Sequence, residues 1–319
     1  MKLSEIQIRD PFVLPVKERG EYFLFGSTDK NVWNGPGVGF DCYRSRDLEN
    51  WDGPTPAFRP PKGFWGTTQF WAAEVHEFQG GFFMFATFKA DGHVRATQIF
   101  RADNPEGPYA IWSEKPVTPA NWFCLDGTLH VANDGTPWMV FCREWVEISD
   151  GAMVAIRLSN DLRRAIGEPT TLFSASDAPW VRAIERPKKK QTFNAMSPDG
   201  DKESFVTDGP FLHRTRDGAL LMLWSSFGEK GYAMGVARSK SGNVLGPWTH
   251  EPEPLWKENG GHGMIFRAFD GELFLTLHHP NDTPNERAVF HRLIETADSV
   301  RLAGATDTFY SAVRQAVIN

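Results

Sequence analysis

The sequence predicts an all-β fold: a five-bladed β-propeller with four-stranded blades around a central channel, forming a single domain over residues 1–319. Three observations lead there. One hairpin pattern occurs five times along the chain. The distance from the residue that opens each hairpin to its turn glycine is 9 or 10 in every copy. The copies recur at intervals long enough for four short strands each.

In each copy a short apolar strand begins at a polar residue or a tryptophan, a glycine-bearing turn follows, and an aromatic-rich strand returns. The first copy runs Asp10-Pro11-Phe12-Val13, Gly20, Tyr22-Phe23-Leu24-Phe25. The second runs Trp71-Ala72-Ala73-Glu74-Val75, Gly80-Gly81, Phe82-Phe83-Met84-Phe85, and the third Asp126-Gly127-Thr128-Leu129, Gly135, Trp138-Met139-Val140-Phe141. The fourth is Asp208-Gly209-Pro210-Phe211-Leu212, Gly218, Leu220 to Trp224, and the fifth His262-Gly263-Met264-Ile265-Phe266, Gly271, Leu273-Phe274-Leu275. Constant spacing means constant strand length, and glycine supplies the left-handed backbone that a tight hairpin turn requires.

A second signature follows the hairpin. It reads Ser45-Arg46-Asp47-Leu48-Glu49-Asn50-Trp51, then Ala102 to Tyr109, then Leu158-Ser159-Asn160-Asp161-Leu162, then Ser239-Lys240-Ser241 with Gly246-Pro247-Trp248. These segments read as turns between the third and fourth strands of a blade. The hairpin openings are 61, 55, 82 and 54 residues apart, so the long third interval holds an insertion, placed around Ser174 to Lys202. No long segment has a 3.6-residue period, so helices are minor.

Composition agrees and excludes other classes. Phe 25, Trp 12, Gly 29 and Pro 22 favour short strands and tight turns over long helices. A net charge of −6 argues against a general nucleic-acid role, and the run Lys188-Lys189-Lys190 reads as a solvated loop. No apolar stretch approaches the roughly 20 residues that cross a membrane. Cys42, Cys124 and Cys142 lack metal-site spacing and read as three buried free thiols. Met1 leads through polar residues directly into the first strand, so the chain as given reads as cytoplasmic, or as secreted or periplasmic if it has been trimmed.

In a propeller the first strand of each blade lines the channel. The openers Asp10, Trp71 with Glu74, Asp126, Asp208 and His262 therefore converge near one axis. An Asp-Pro or Asp-Gly pair alone is ordinary turn chemistry. Recurrence at one repeat position, each time before a buried strand, sets these acids apart. Three carboxyls around one concavity suit the cleavage of a glycosidic bond: one protonates the leaving oxygen, one activates water, and a third tunes the acid.

The segments Arg9-Asp10-Pro11-Phe12-Val13, Trp71-Ala72-Ala73-Glu74-Val75, Leu125-Asp126-Gly127-Thr128, Thr207-Asp208-Gly209-Pro210-Phe211 and Gly261-His262-Gly263 together resemble glycoside hydrolase family 43. That family groups β-xylosidases, α-L-arabinofuranosidases, arabinanases and exo-galactosidases. The resemblance covers nearly the whole chain and rests on the order, spacing and number of the motifs. It implies an exo-acting, inverting hydrolase that removes a terminal sugar, foremost α-L-arabinofuranose, from plant-type poly- or oligosaccharide. β-Xylosidase or exo-β-galactosidase action, or sugar binding without catalysis, are the alternatives.

By the same resemblance Asp10 is the general base, Asp126 the pKa modulator and Asp208 the general acid. Asp208 departs from the family's usual Glu by one methylene. Glu144, in Phe141-Cys142-Arg143-Glu144-Trp145, is the alternative acid; it reads equally as a partner of Arg143 or another basic group. His262 is expected to face the axis and to hold a structural Ca2+ through water, while the chemistry itself needs no cofactor. Arg287 matches an arginine that contacts the terminal sugar. Trp33, Phe70, Trp71 and Trp145, near strand openings, are expected to build the sugar platform with Glu74 beside them. Trp138 and Trp224 read as core. His278 and His279 are adjacent in a strand and point to opposite faces, so they do not form a zinc cluster.

Overall fold

A computed structural model describes residues 1–33, 35–185 and 203–304. It is a ring of five antiparallel four-stranded sheets, each built from four strands consecutive in sequence. Blade 1 holds β1 (Arg9–Val16), β2 (Glu21–Ser27), β3 (Phe40–Ser45) and β4 (Trp51–Phe58). Blade 2 holds β5 (Thr68–Phe78), β6 (Gly81–Ala90), β7 (His93–Ala102) and β8 (Ala110–Ile111). Blade 3 holds β9 (Cys124–Val131), β10 (Pro137–Arg143), β11 (Ala152–Leu158) and β12 (Ala165–Ser174), with the single-turn helix α1 (Trp145–Ile148) after β10. Blade 4 holds β13 (Asp208–Arg214), β14 (Leu220–Gly228), β15 (Gly231–Ser239) and β16 (Thr249–His250). Blade 5 holds β17 (Gly261–Arg267), β18 (Leu273–His279), β19 (Arg287–Glu295) and β20 (Val300–Leu302). The first strands β1, β5, β9, β13 and β17 contact one another in turn, and β17 meets β1 to complete the ring.

The sheet faces explain the sequence pattern. A blade is covered on both faces by its neighbours, so its second strand cannot alternate polar and apolar. Thus β2 is buried at every position, and Leu220 to Ser226 of β14 likewise. The resulting core is distributed into the seams between blades. One cluster joins blades 1, 2 and 5 around Phe25, Phe58 and Phe266; others join blades 2 and 3, 3 and 4, and 4 and 5. The five hairpin turns carry left-handed glycines, Gly20, Gly80, Gly135, Gly218 and Gly271, at φ 62, 75, 84, 89 and 91°. A Cβ on any of them would meet nothing within 4 Å, so glycine is there for its backbone freedom alone.

The second signature does bridge the third and fourth strands of blades 1 to 4. The long third interval falls between β12 and β13, where residues 175–185 and 203–207 are described; Lys188-Lys189-Lys190 and the middle of the insertion lie outside the described residues. All three cysteines are buried and free. Among the described residues no helix is long and apolar enough to cross a membrane.

Candidate active site

The site is made by an irregularity repeated in every first strand. Near the start of each, the pairing register breaks. At that point one residue takes left-handed backbone: Asp10 (φ 53°), Ala72 (49°), Asp126 (56°), Gly209 (48°) and His262 (46°). A bulge of this kind bends the strand and re-aims a side chain. The five residues form one tier around the axis. The residues just before them, Arg9, Trp71, Leu125, Asp208 and Gly261, form a second tier. The sequence openers therefore mix two tiers: Asp10, Asp126 and His262 belong to the first, Trp71 and Asp208 to the second. In blade 4 only glycine fits the first tier, because a Cβ on Gly209 would lie 2.6 Å from the His262 ring.

A bulge frees one backbone N–H from its ladder, and a buried N–H needs a partner. The second strands supply it across the seam. Opposite the second tier stand Ser27, Thr87, Cys142, Ser225 and His278. Ser27 Oγ accepts from Ala72 N at 2.8 Å, Thr87 Oγ1 from Asp126 N at 2.9 Å, and Ser225 Oγ from His262 N at 2.8 Å. His278 Nδ1 accepts from Asp10 N at 3.2 Å. Blade 3 is the exception. Its Cys142 thiol turns to Met153 Sδ at 3.6 Å, and the Gly209 N–H donates instead to Asp126 Oδ2 at 3.2 Å. These latches went unseen in the sequence, because a serine or threonine in an otherwise apolar second strand carries no signal of its own.

The ring brings the three aspartates together. His262 Nδ1 lies 3.2 Å from Asp10 Oδ1, 3.6 Å from Asp126 Oδ2 and 3.8 Å from Asp208 Oδ1. Asp10 and Asp208 can thus be no further apart, oxygen to oxygen, than the first and last of these distances laid end to end. Burial pushes the Asp10 carboxyl up, but His262, Arg9, His278 and the Ser27 hydroxyl, which donates to Oδ2 at 2.5 Å, hold it below the usual carboxylate range. Burial and the adjacent Asp208 carboxyl push Asp126 well above that range. The cluster therefore pulls one carboxyl below the usual range and pushes another above it. Asp208 is the most accessible of the three, with 26% of its side chain exposed against 10% for Asp10 and 4% for Asp126. Its Oδ2 accepts from the Tyr232 hydroxyl at 2.6 Å.

Glu144 lines the same pocket. Its partner is Arg95 rather than Arg143: Arg95 Nη1 bonds both carboxylate oxygens, while Arg143 pairs with Glu147 and stacks on Trp122. Arg95 also donates to Gln69 Oε1 at 3.1 and 2.8 Å. Burial pushes Glu144 above the usual range even though Arg95 pulls it down.

The pocket above these groups has a volume of about 560 Å³. One wall is an alternating row of cations and rings. Arg9, paired with Glu286 at 2.7 Å, lies 4.9 Å over Trp33; Trp33 meets Trp71 edge-on at 5.3 Å; Arg95 lies 4.5 Å from Trp71. Trp145, Phe227 and the Asn281-Asp282-Thr283 loop complete it. His262 Nε2 is buried and has no hydrogen-bond partner among the described residues, so it is the ring atom available to an ion.

Three expected sugar contacts are placed elsewhere. Phe70 is buried among Phe40, Phe58, Phe64 and Phe88, because adjacent strand residues face opposite ways and Trp71 takes the pocket side. Glu74 lies past the bulge, opposite Phe85, and pairs with His76 at 3.1 Å. Arg287 turns to the N-terminal segment and donates to Ser4 O at 2.9 Å. The pocket's arginine is Arg9, and the signal that could have found it is its place in the same tier as Trp71 and Asp208. Arg95 and Tyr232 lie on third strands, where the repeat offers no such guide.

Comparison with known proteins matches this arrangement to one group. Residues 3–298 fit the pattern of glycosyl hydrolases family 43. The chain is similar to a structure described as endo-arabinase from Bacteroides thetaiotaomicron VPI-5482, at 39% identity, TM-score 0.83, covering 94% of this chain and 98% of that one. It shares its fold with α-L-arabinofuranosidase from Lactobacillus brevis, at 18% identity and TM-score 0.69, covering 92% and 93%. It is 24% identical over 254 residues to α-L-arabinofuranosidase 43 of Humicola insolens, covering 72% of this chain; the chain thus spans about half the length of that curated relative, 48% of it. The match over residues 3–298, which reaches into all five blades, establishes that the chain belongs to the glycosyl hydrolases of family 43.

Proposed function

We propose that the chain hydrolyses glycosidic bonds and releases terminal α-L-arabinofuranose from arabinan-type poly- or oligosaccharide with inversion at the anomeric carbon. The observation that carries this reading is the convergence of Asp10, Asp126 and Asp208 on one nitrogen of His262 at the base of a pocket walled by tryptophan and arginine. Asp10, held ionised, takes a proton from water as the water oxygen bonds to the anomeric carbon. Asp208 gives its proton to the leaving oxygen, which keeps the electron pair of the broken C–O bond. Asp126, the third carboxyl of the cluster, lies beside Asp208 and tunes it. Glu144 is less suited to donate, since both its oxygens face Arg95; it braces the Arg95–Trp71 wall. An ion in the channel, calcium by the expectation above, would sit on His262 Nε2 through water and supply fixed positive charge; neither proton transfer passes through it.

The upper bound on the span between Asp10 and Asp208 falls near the low end of the roughly 6.5–9.5 Å kept by inverting pairs. Proton NMR of the first-formed sugar is therefore decisive, and a retained anomer overturns the inverting reading. The same digest fixes the mode of attack. Arabinose alone marks exo action; a ladder of oligosaccharides favours the endo mode that the name of the 39%-identical relative describes. Release of another sugar from a panel of aryl glycosides moves the reading to β-xylosidase or exo-β-galactosidase. Sugar binding without release leaves a non-catalytic propeller.

A further inference from the structure

Asp208 stands where the resemblance leads one to expect a glutamic acid, and a shorter acid needs something to set its reach. Tyr232, on β15, meets it. Its hydroxyl donates to Asp208 Oδ2 at 2.6 Å. The ring is held on three sides: stacked on His278 at 5.6 Å with an interplanar angle of 15°, edge-on to Phe227 at 5.6 Å, and against Gly261, where a Cβ would lie 2.6 Å from the ring. The side chain is buried, at 2% exposure. A phenol so confined has one place for its oxygen.

We propose that Tyr232 is a positioning residue of the proton donor: its phenol fixes the reach and orientation of Asp208, so that the two side chains together do what one longer acid does. The inference rests on the reading of Asp208 as the donor. An aspartyl carboxyl can turn about its last bond. With Oδ2 accepting from a phenol, the proton that Asp208 delivers is carried on Oδ1, the oxygen that faces His262 and the other carboxyls. The scissile bond must lie on that side, between base and donor. Because His278 also holds the Asp10 backbone, the Tyr232 ring ties the donor to the strand that fixes the base.

The test compares the oligosaccharide that the parent cleaves with the dinitrophenyl glycoside of the same sugar, whose leaving group needs little protonation. Tyr232→Phe keeps the ring and its packing. It should lower kcat on the oligosaccharide about ten- to hundredfold, the weight of one hydrogen bond to a charged group, with less than about threefold change in KM or on the activated glycoside. A loss of packing alone would lower both substrates together, and that result overturns the proposal. The second arm is a swap. Asp208→Glu alone should be poorly active because the phenol already closes the Oδ2 side. Asp208→Glu with Tyr232→Phe should recover at least about tenfold over the product of the single effects. Independent effects refute the pairing. If Asp208→Ala shows no leaving-group dependence while Glu144→Ala does, the donor assignment has failed, and the proposal falls with it; if Asp208→Ala shows it and Tyr232→Phe does not, only the proposal falls.

Discussion

Ser27→Ala removes one oxygen and two bonds. Ser27 Oγ donates to Asp10 Oδ2 at 2.5 Å and accepts from Ala72 N at 2.8 Å, and the residue is 2% exposed. Losing the acceptor strands a buried N–H, at about 1–3 kcal/mol, and losing the donor takes a charge-assisted bond worth about 1.5–3 kcal/mol. A water entering from the pocket would offset part of this, so the expected net loss is about 3 kcal/mol. For a chain of this size that lowers Tm by about 5 °C, measured by calorimetry or far-ultraviolet dichroism. The kinetic consequence has a definite sign. The hydroxyl favours the ionised form of Asp10, so its loss raises the pKa of that group and shifts the acid limb of kcat/KM to higher pH. Ser27→Cys should fall between parent and alanine variant, since blade 3 already accommodates a thiol, Cys142, at the equivalent place. A Ser27→Ala protein with Tm within about 1 °C of the parent and an unmoved acid limb would refute the latch.

Acid stability tests the buried histidines. Burial, with Arg214, holds His130 down to about 4, and burial, with Arg9, holds His278 down to about 3. The unfolded chain protonates both near 6.5, so their contribution is complete above that pH and is lost as pH falls toward the folded values; together they should lower stability by roughly 2.7 kcal/mol per pH unit between about 6.5 and 4. Urea midpoints taken down this range should show the slope, and His130→Leu should about halve it; an unchanged slope refutes the assignment. Gly209→Ala should cost about 3 kcal/mol and most of the activity, because its left-handed backbone and the His262 ring both oppose a Cβ; Gly135→Ala, left-handed but in open space, should cost only about 1 kcal/mol. Equal losses in the two variants, by thermal unfolding, would show that the ring contact is unimportant.

The blades were legible because a hairpin repeats its own signals: Gly20, Gly80, Gly135, Gly218 and Gly271 are demanded by local backbone geometry, and local geometry is written locally. The three aspartates were legible for the same reason, since each opens such a hairpin. What the sequence concealed is the bulge. One extra residue in each first strand splits the openers into two tiers, so positions aligned by eye, such as Asp126 and Asp208, do not occupy equivalent places. Phe70 and Trp71 look alike as aromatic neighbours, yet the pleat sends one into the core and the other to the pocket. Arg95, Tyr232 and His278 reach the site from second and third strands, and only the closing of the ring brings them there. Glu144 shows the limit most plainly: its partner lies 49 residues away in the chain, and the neighbouring Arg143 was the wrong candidate.

Among the described residues no strand is exchanged between the first and last blades, since each sheet takes its four strands from one stretch of chain. The junction is closed by the apolar cluster shared by blades 1, 2 and 5 and by polar pins beside it: Ile8 N to Glu286 O at 3.3 Å, Arg9 to Glu286, and Asp10 N to His278, 268 residues apart. The proposed base lies in blade 1 and its clasp in blade 5. Four finished blades would therefore be inert, with Asp10 waiting on a free edge.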